Sequence, residues 1–588
     1  MLHLNNLKPE NNSENSSIES GLKDGIMDKS ITILIILSII VVLSALVIYR
    51  FSLKNTQHIS NSKGDKYLIE GNYDKALEEY ERSYKKDGAI IWKAKAAEVY
   101  SLKGDKYKAI QNIEEIKNND KKDSKSLSYV TYIQLINEDY KKALSDGEGF
   151  LKENPKDKTL IASMFSAYIF NREYEKAKKL LKSYPLDEKS SYDMAKYSEM
   201  LMSVGEEEKS IEHLKKAWHL NKDEYKVYDV IIHEAINDKN KVLDTISKLS
   251  IKEPEELAYR IWRAKIYSRS LETTEEAQKI MDSLKGQNIG KIIPKAIEAS
   301  ILVNKEEKDK AEEVIDKLLK ENKKDYRVYH TASWFYLSMG DLNKAEEYCI
   351  KSIYENQDYV DNYAFLMPEI LKRQKKSLKN KEEKNNTKEN QIKNVDTFFN
   401  IALCKEPYNK NIMINTANYS LERGEDMDKT LKYLKMAELV KPLDAEVKYN
   451  IALTYIYQNK DKEAEKTLKE CIKIKSQIPK YHRTLGTIYF LNGKNNEAIK
   501  EIKEAYDKDE NDPLTLNNAG CYYMMVNMDL ERGMYNLRTA KNYISGNMDK
   551  YNKKTIEENY KKGKKLLEQY KKAKGNEKLE IPELKLFY

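Results

Sequence analysis

Side-chain amides are the groups in this chain best spaced to do chemistry, and that chemistry is recognition of a peptide main chain. Asn450 and Asn518 directly precede the small or apolar pairs Ile451–Ala452 and Ala519–Gly520. Asn415 or Asn418 stands in a similar relation earlier in the chain. An amide both donates and accepts, so a ladder of asparagines can clamp an extended segment without reading its side chains. Lys480 and Arg483 lie between Asn450 and Asn518, where cations can hold a carboxylate or an acidic segment.

Other chemistry finds less support. The histidines His3, His58, His213, His219, His233, His330 and His482 are scattered, and His213 and His219 are six residues apart, too far round a helix to share a face. There is no HExxH, zinc-ligand spacing, GxxxxGK[ST], GxGxxG or GxSxG. Cys349, Cys404, Cys471 and Cys521 have no paired spacing and read as buried small hydrophobes. The chain is therefore read as non-catalytic, with no cofactor and no small-molecule substrate. The 103 cations and 95 anions are close to balance and interleave, as in Lys75–Ala–Leu–Glu–Glu–Tyr–Glu–Arg82. They read as a solvated, salt-bridged surface, and no nucleic-acid partner is expected.

The elements that position the asparagines show as a repeat. A small residue recurs at Ala76, Ala109, Ala143, Ala177, Ser210, Val242, Ala277, Ala311 and Ala345, and again at Val395, Thr430, Ala464, Ala498 and Gly533. The steps are 32 to 35 residues, apart from one of 50 between Ala345 and Val395. A period near 34 is that of paired helices stacked into a solenoid. Scarce Gly (20) and Pro (11) in 588 residues suit helices joined by short turns.

Two units carry the repeat most clearly. One runs Tyr449–Asn450–Ile451–Ala452–Leu453–Thr454–Tyr455, then Asn459, Ala464, Leu468 and Cys471. The next has His482, Leu485–Gly486, Tyr489, Gly493, Ala498, Ile502 and Ala505. Turns recur as Gly71-Asn-Tyr-Asp-Lys-Ala76, Gly104-Asp-Lys-Tyr-Lys-Ala109 and Gly340-Asp-Leu-Asn-Lys-Ala345. Pro155, Pro407 and Pro442 each follow the last packing position of a unit by five residues.

This pattern resembles the tetratricopeptide repeat family over roughly residues 60 to 545. The resemblance implies an all-α, right-handed α-solenoid of about fourteen helix-turn-helix repeats with a concave groove lined by the first helix of each. It implies that Asn450 and Asn518 point into the groove, with Asn418, Lys480 and Arg483 on the same surface. Some members hold peptide tails through a carboxylate clamp, whose full pattern this chain does not match. The abundance of Lys, Asn, Ile and Tyr resembles proteins encoded by AT-rich bacterial genomes.

The expected organisation is a disordered polar leader (1–30), a transmembrane helix (31–49) and a juxtamembrane linker (50–60). An N-terminal array (61–371), a charged insertion (372–394), a C-terminal array (395–545) and a capping helix with tail (546–588) follow. The span rests on 19 uncharged residues, Ile31 to Tyr49, a length that just crosses a bilayer core. The cations Arg50, Lys54, Lys63 and Lys66 behind it place the array in the cytoplasm by the positive-inside rule. The reading is a single-pass, membrane-anchored scaffold that binds peptide segments or helices of partner proteins. Its alternatives are an extracytoplasmic accessory of envelope or surface-polymer assembly, and a peptide-sensing regulator.

Overall fold

The computed structural model describes residues 63–120, 122–379, 395–423, 426–546, 548–572 and 580–588. The chain divides into two compact units, Met1–Lys66 and Tyr67–Tyr588, and the repeats lie in the second. Among the described residues every regular element is helical, with 29 α-helices. From Ile91 to Asn542 they form thirteen consecutive pairs, beginning with Ile91–Leu102 and Lys106–Lys117 and ending with Pro513–Met525 and Leu530–Asn542. A 23-residue helix, Lys550–Lys572, follows the last pair.

The repeating small residue explains the pairing. From Ala76 to Ala345, and from Thr430 to Gly533, it is the fourth residue of the second helix in each unit. All the alanines among these positions are fully buried. A Cβ on Gly486 would stand 3.0 Å from Ile502 and 3.1 Å from the Ala498 carbonyl, so the two backbones meet where no side chain fits. Gly486→Leu is expected to cost about 1–3 kcal/mol by overpacking, read as a lowered urea midpoint. Val395 is the exception, being the first residue of Val395–Lys405. The helix Met367–Lys379 runs through the start of the charged insertion, and residues 380–394 lie outside the described residues.

The short turns follow from capping. Gly340 takes a left-handed φ of 82° and Asp341 then accepts a hydrogen bond from the Lys344 N–H at 3.0 Å, so the first helix stops and the second is capped within two residues. Glu138, Arg172 and Glu306 take the same backbone conformation at equivalent turns without glycine.

The expectation of a transmembrane helix, and of a single-pass membrane protein with it, is corrected. No helix among the described residues is long and apolar enough to cross a membrane. The most apolar helices, such as Lys158–Phe170 with 13 residues, are short and bury against other helices, and the longest, Lys550–Lys572, is densely charged. Residues 31–49 lie outside the described residues. The architecture is an all-α helical-repeat array, and it assigns the chain no membrane location.

The array also folds back on itself. The Tyr132 hydroxyl donates to the Asn400 carbonyl at 3.0 Å, and Tyr174 donates to the Leu439 carbonyl at 2.8 Å. The Phe165 and Tyr408 rings meet edge to face at 5.7 Å. Farther along, Lys441 pairs with Glu234 at 3.1 Å and Lys475 with Asp238 at 3.0 Å. The repeats after residue 395 therefore cover the inner face of the repeats before 240. Helices Ser124–Ile136 and Lys158–Phe170, which line that face, are buried almost all round.

A buried ion cluster pins this junction. The Lys226 ammonium lies 2.8 Å from Glu199 and 2.6 Å from Glu406. Asn409 donates to Glu199 at 3.0 Å and to Glu406 at 2.9 Å. All four side chains are buried. Burial pushes the Glu199 carboxyl up to about 8, and repulsion from Glu406 adds to it. Burial opposes charge on Glu406 too, but Lys226 and Lys196 hold that carboxyl below its usual range.

The raised Glu199 value gives stability a pH dependence of definite sign. Glu199 keeps in the folded state a proton that the unfolded chain releases near its ordinary value of 4.5. Stability from this group is complete below that value and is lost as the pH rises through about 8. Glu199→Gln, which mimics the protonated acid, is expected to flatten the fall in melting temperature between pH 5 and 8. Parallel melting profiles of parent and variant would contradict this assignment.

Candidate peptide-binding groove

Residues 580–588 form no regular element, and the groove that holds them is built from three helices. Pro479–Leu491 contributes Thr487, Pro513–Met525 contributes Asn517 and Asn518, and Lys550–Lys572 contributes Asn559. Thr487, Asn517, Asn518 and Asn559 are all buried. The Asn518 amide makes a two-point contact with Phe587: it accepts from the Phe587 N–H at 2.8 Å and donates to the Phe587 carbonyl at 2.7 Å. Asn559 does the same to Lys585, accepting from its N–H at 3.1 Å and donating to its carbonyl at 2.7 Å.

A side-chain amide carries the same donor and acceptor as a peptide group. Two of them gripping residues two apart imitate the edge of a β-strand, whose hydrogen-bonding groups repeat every second residue on one side. Asn517 and Thr487 complete the set. Asn517 donates to the Lys585 carbonyl at 3.0 Å, and the Thr487 hydroxyl donates to the Phe587 carbonyl at 2.6 Å.

The side chains of the segment add an apolar reading. Leu584 is buried in a cluster with Cys521, Met524 and Leu566. Phe587 is buried with Leu516, Ala540 and Ile556. Glu583, Lys585 and Tyr588 stay exposed. Close backbone approach makes room for this, since a Cβ on Gly563 would meet Leu537 and Met524 at 2.9 Å.

The residues singled out from the sequence fall in different places. Asn518 sits at the centre of the groove. Asn450 is half-buried two repeats earlier, and Asn418 is exposed. Asn415 donates instead to the Ala364 carbonyl at 2.7 Å, within a π-helical turn, Asn362–Leu366. Lys480 pairs with Glu446 at 2.7 Å and lies over the Tyr449 ring. Arg483 is buried against Asp512 and Thr515. Both cations are thus committed to carboxylates of the array. Asn559, Asn517 and Thr487 escape a reading of the sequence. Asn559 stands in the capping helix, outside the 34-residue period, and Thr487, 31 residues before Asn518, falls off that period and carries no signal of its own.

Together these observations define a helical-repeat protein with an amide-lined groove. The tetratricopeptide repeat family model matches residues 326–359 and 445–478, and the chain carries tetratricopeptide repeats. Among solved structures, yeast Tom70 is similar at 13% identity over 84% of this chain and 95% of its own, with a TM-score of 0.33. The Cut9–Hcn1 complex of the APC/C is similar at 13% identity over 77% of this chain and 94% of its own, with a TM-score of 0.30. Pseudomonas aeruginosa pilF is similar at 13% identity over 40% and 96%, with a TM-score of 0.30. These likenesses concern the fold alone. No curated protein matches the chain. Neither a membrane anchor nor a bacterial origin gains support from these matches.

Proposed function

We propose that this protein is a scaffold for protein–protein interaction that grips an extended segment of a partner in the groove formed by Pro479–Leu491, Pro513–Met525 and Lys550–Lys572. The observation that carries this reading is the pair of two-point contacts from Asn518 to Phe587 and from Asn559 to Lys585. Main-chain groups are common to all sequences, so the amides set register while the Leu584 and Phe587 pockets select apolar residues three apart. Residues 580–588 occupy the groove from within the same chain, and a partner segment enters by exchange with them.

The test uses the full chain with Leu584→Asp and Phe587→Asp, which empties the pockets and leaves the amides in place. A fluorescent peptide of the sequence Glu580 to Tyr588 is titrated against it by polarisation. Binding is expected to be at least about 30-fold tighter than to the unaltered chain, the equivalent of roughly 2 kcal/mol of competition. The same peptide with both apolar residues replaced by aspartate is expected not to bind. If the released groove fails to bind the unaltered peptide, the reading is overturned.

A further inference from the structure

A second cavity, of about 310 Å³, opens among the inner helices Tyr225–Asn237, Leu257–Tyr267, Ile292–Asn304 and Tyr326–Met339, beside the π-helical turn Asn362–Leu366. This volume lies at the small end of ligand pockets, which span about 300–1,000 Å³. It is well separated in sequence from the groove at residues 479–588. Its body is apolar, with Ile232, Ile293, Val303, Phe335 and Phe365 in the wall. A π-helical turn is a widened, less favourable backbone that recurs at functional sites, and here it brings Asp361 and Phe365 to the cavity.

The polar groups fall into two sets. Asp361 and the histidines are already engaged, whereas Asp229 keeps its Oδ2 buried without a hydrogen bond. Asp361 lies 3.0 Å from His233 Nε2, and Asp229 faces the Tyr359 hydroxyl. The Trp334 indole N–H donates to His330 Nε2 at 3.0 Å, so His330 carries its proton on Nδ1, which meets Asn362 Oδ1 at 2.8 Å. That ring is neutral, and burial lowers its pKa further. Lys265 is half-buried and Arg269 exposed, four residues apart on the same wall, and their side chains make no hydrogen bond or ion pair among the described residues. By contrast, Lys226 and Lys410 are buried and paired, Lys226 with two glutamates and Lys410 with Asp444 at 3.0 Å.

We infer that this cavity binds a small organic oxyanion, a carboxylate or phosphate monoester on an aromatic or branched apolar body, with its anionic end between Lys265 and Arg269. A planar guanidinium beside an ammonium suits such a head group, and the apolar wall takes the body. Enclosure, then repulsion from Arg269, push Lys265 down to about 8, while Asp229 and Asp361 across the cavity oppose that shift. A bound anion reverses it, so binding near pH 8 takes up a proton.

The full chain is titrated calorimetrically with phenyl phosphate, phenylacetate and inorganic phosphate. Saturable binding of at least one aromatic probe is expected, at least tenfold tighter than inorganic phosphate, with a heat at pH 8 that depends on the buffer's ionisation enthalpy. Lys265→Met combined with Arg269→Met is expected to weaken that probe at least 30-fold while melting no lower than the parent, because no ion pair is lost. A blocked glutamyl-phenylalanine that outcompetes phenylacetate identifies a polypeptide side chain as the source of the oxyanion, and the reverse order identifies a free small molecule. No saturable heat with either aromatic probe up to about 10 mM, far weaker than a millimolar site, overturns the inference. So does equal binding by the double variant, equal binding of inorganic phosphate, or a markedly lowered melting temperature in the double variant.

Discussion

Lys226→Met is expected to cost about 3–5 kcal/mol, because it leaves the carboxyls of Glu199 and Glu406 buried without their cation. Methionine keeps the volume, so the loss is electrostatic and not a cavity effect. The damage falls on the junction between the early and late repeats, and the urea midpoint should drop with it. Lys475→Met provides the contrast. Its partner Asp238 sits across the same junction, but both side chains are substantially exposed, and solvent screening limits the loss to less than about 1 kcal/mol. Equal, small effects from both would mean that the early and late repeats are not held together at Lys226.

Asn518→Ala combined with Asn559→Ala is the second large effect. It removes four main-chain hydrogen bonds from residues 585 and 587, each worth about 1 kcal/mol net. The segment should leave the groove and become a protease substrate while helicity is retained. Leu584→Asp with Phe587→Asp releases the same segment by a different route. The two releases differ in what remains. The aspartate variant keeps the clamp and should bind the peptide in trans, whereas the alanine variant should not. Trans binding by both would mean that the pockets alone make the site. A lost helical signal in the alanine variant would make the asparagines structural.

What the sequence reveals depends on how local each cause is. The helix pairs are legible because their cause is local: a buried small residue at the fourth position of each second helix, from Ala76 to Gly533. Val395 shows where this fails, since the extra length before it shifts the register, and a small apolar residue at a helix start looks like one at a crossing. Asn518 is legible because it precedes a small pair inside the period. Asn559 is not, because the capping helix lies outside the period, and its role depends on where residues 580–588 run.

The fold-back of the array is illegible for a different reason. It joins residues more than two hundred apart, such as Tyr132 with Asn400, and others nearly as distant, such as Lys226 with Glu406. No local pattern encodes such a pairing. A trace of it is present. Helix Lys158–Phe170 carries no charge after its first residue and is apolar all round, as a helix buried on every side must be. The same all-round apolarity over residues 31–49 reads as a membrane span. In a chain whose charge-poor helices bury against one another, apolarity alone does not choose between lipid and protein.

Recognition of a peptide main chain by side-chain amides is tested most directly by residue-resolved amide hydrogen exchange over 580–588. Lys585 and Phe587 donate their N–H groups to Asn559 and Asn518, so their amides should be protected while those of Leu584 and Leu586 exchange freely. Asn518→Ala should remove the protection at Phe587. Uniformly fast exchange from Glu580 to Tyr588 would contradict the account, since the segment would then not be held by its main chain.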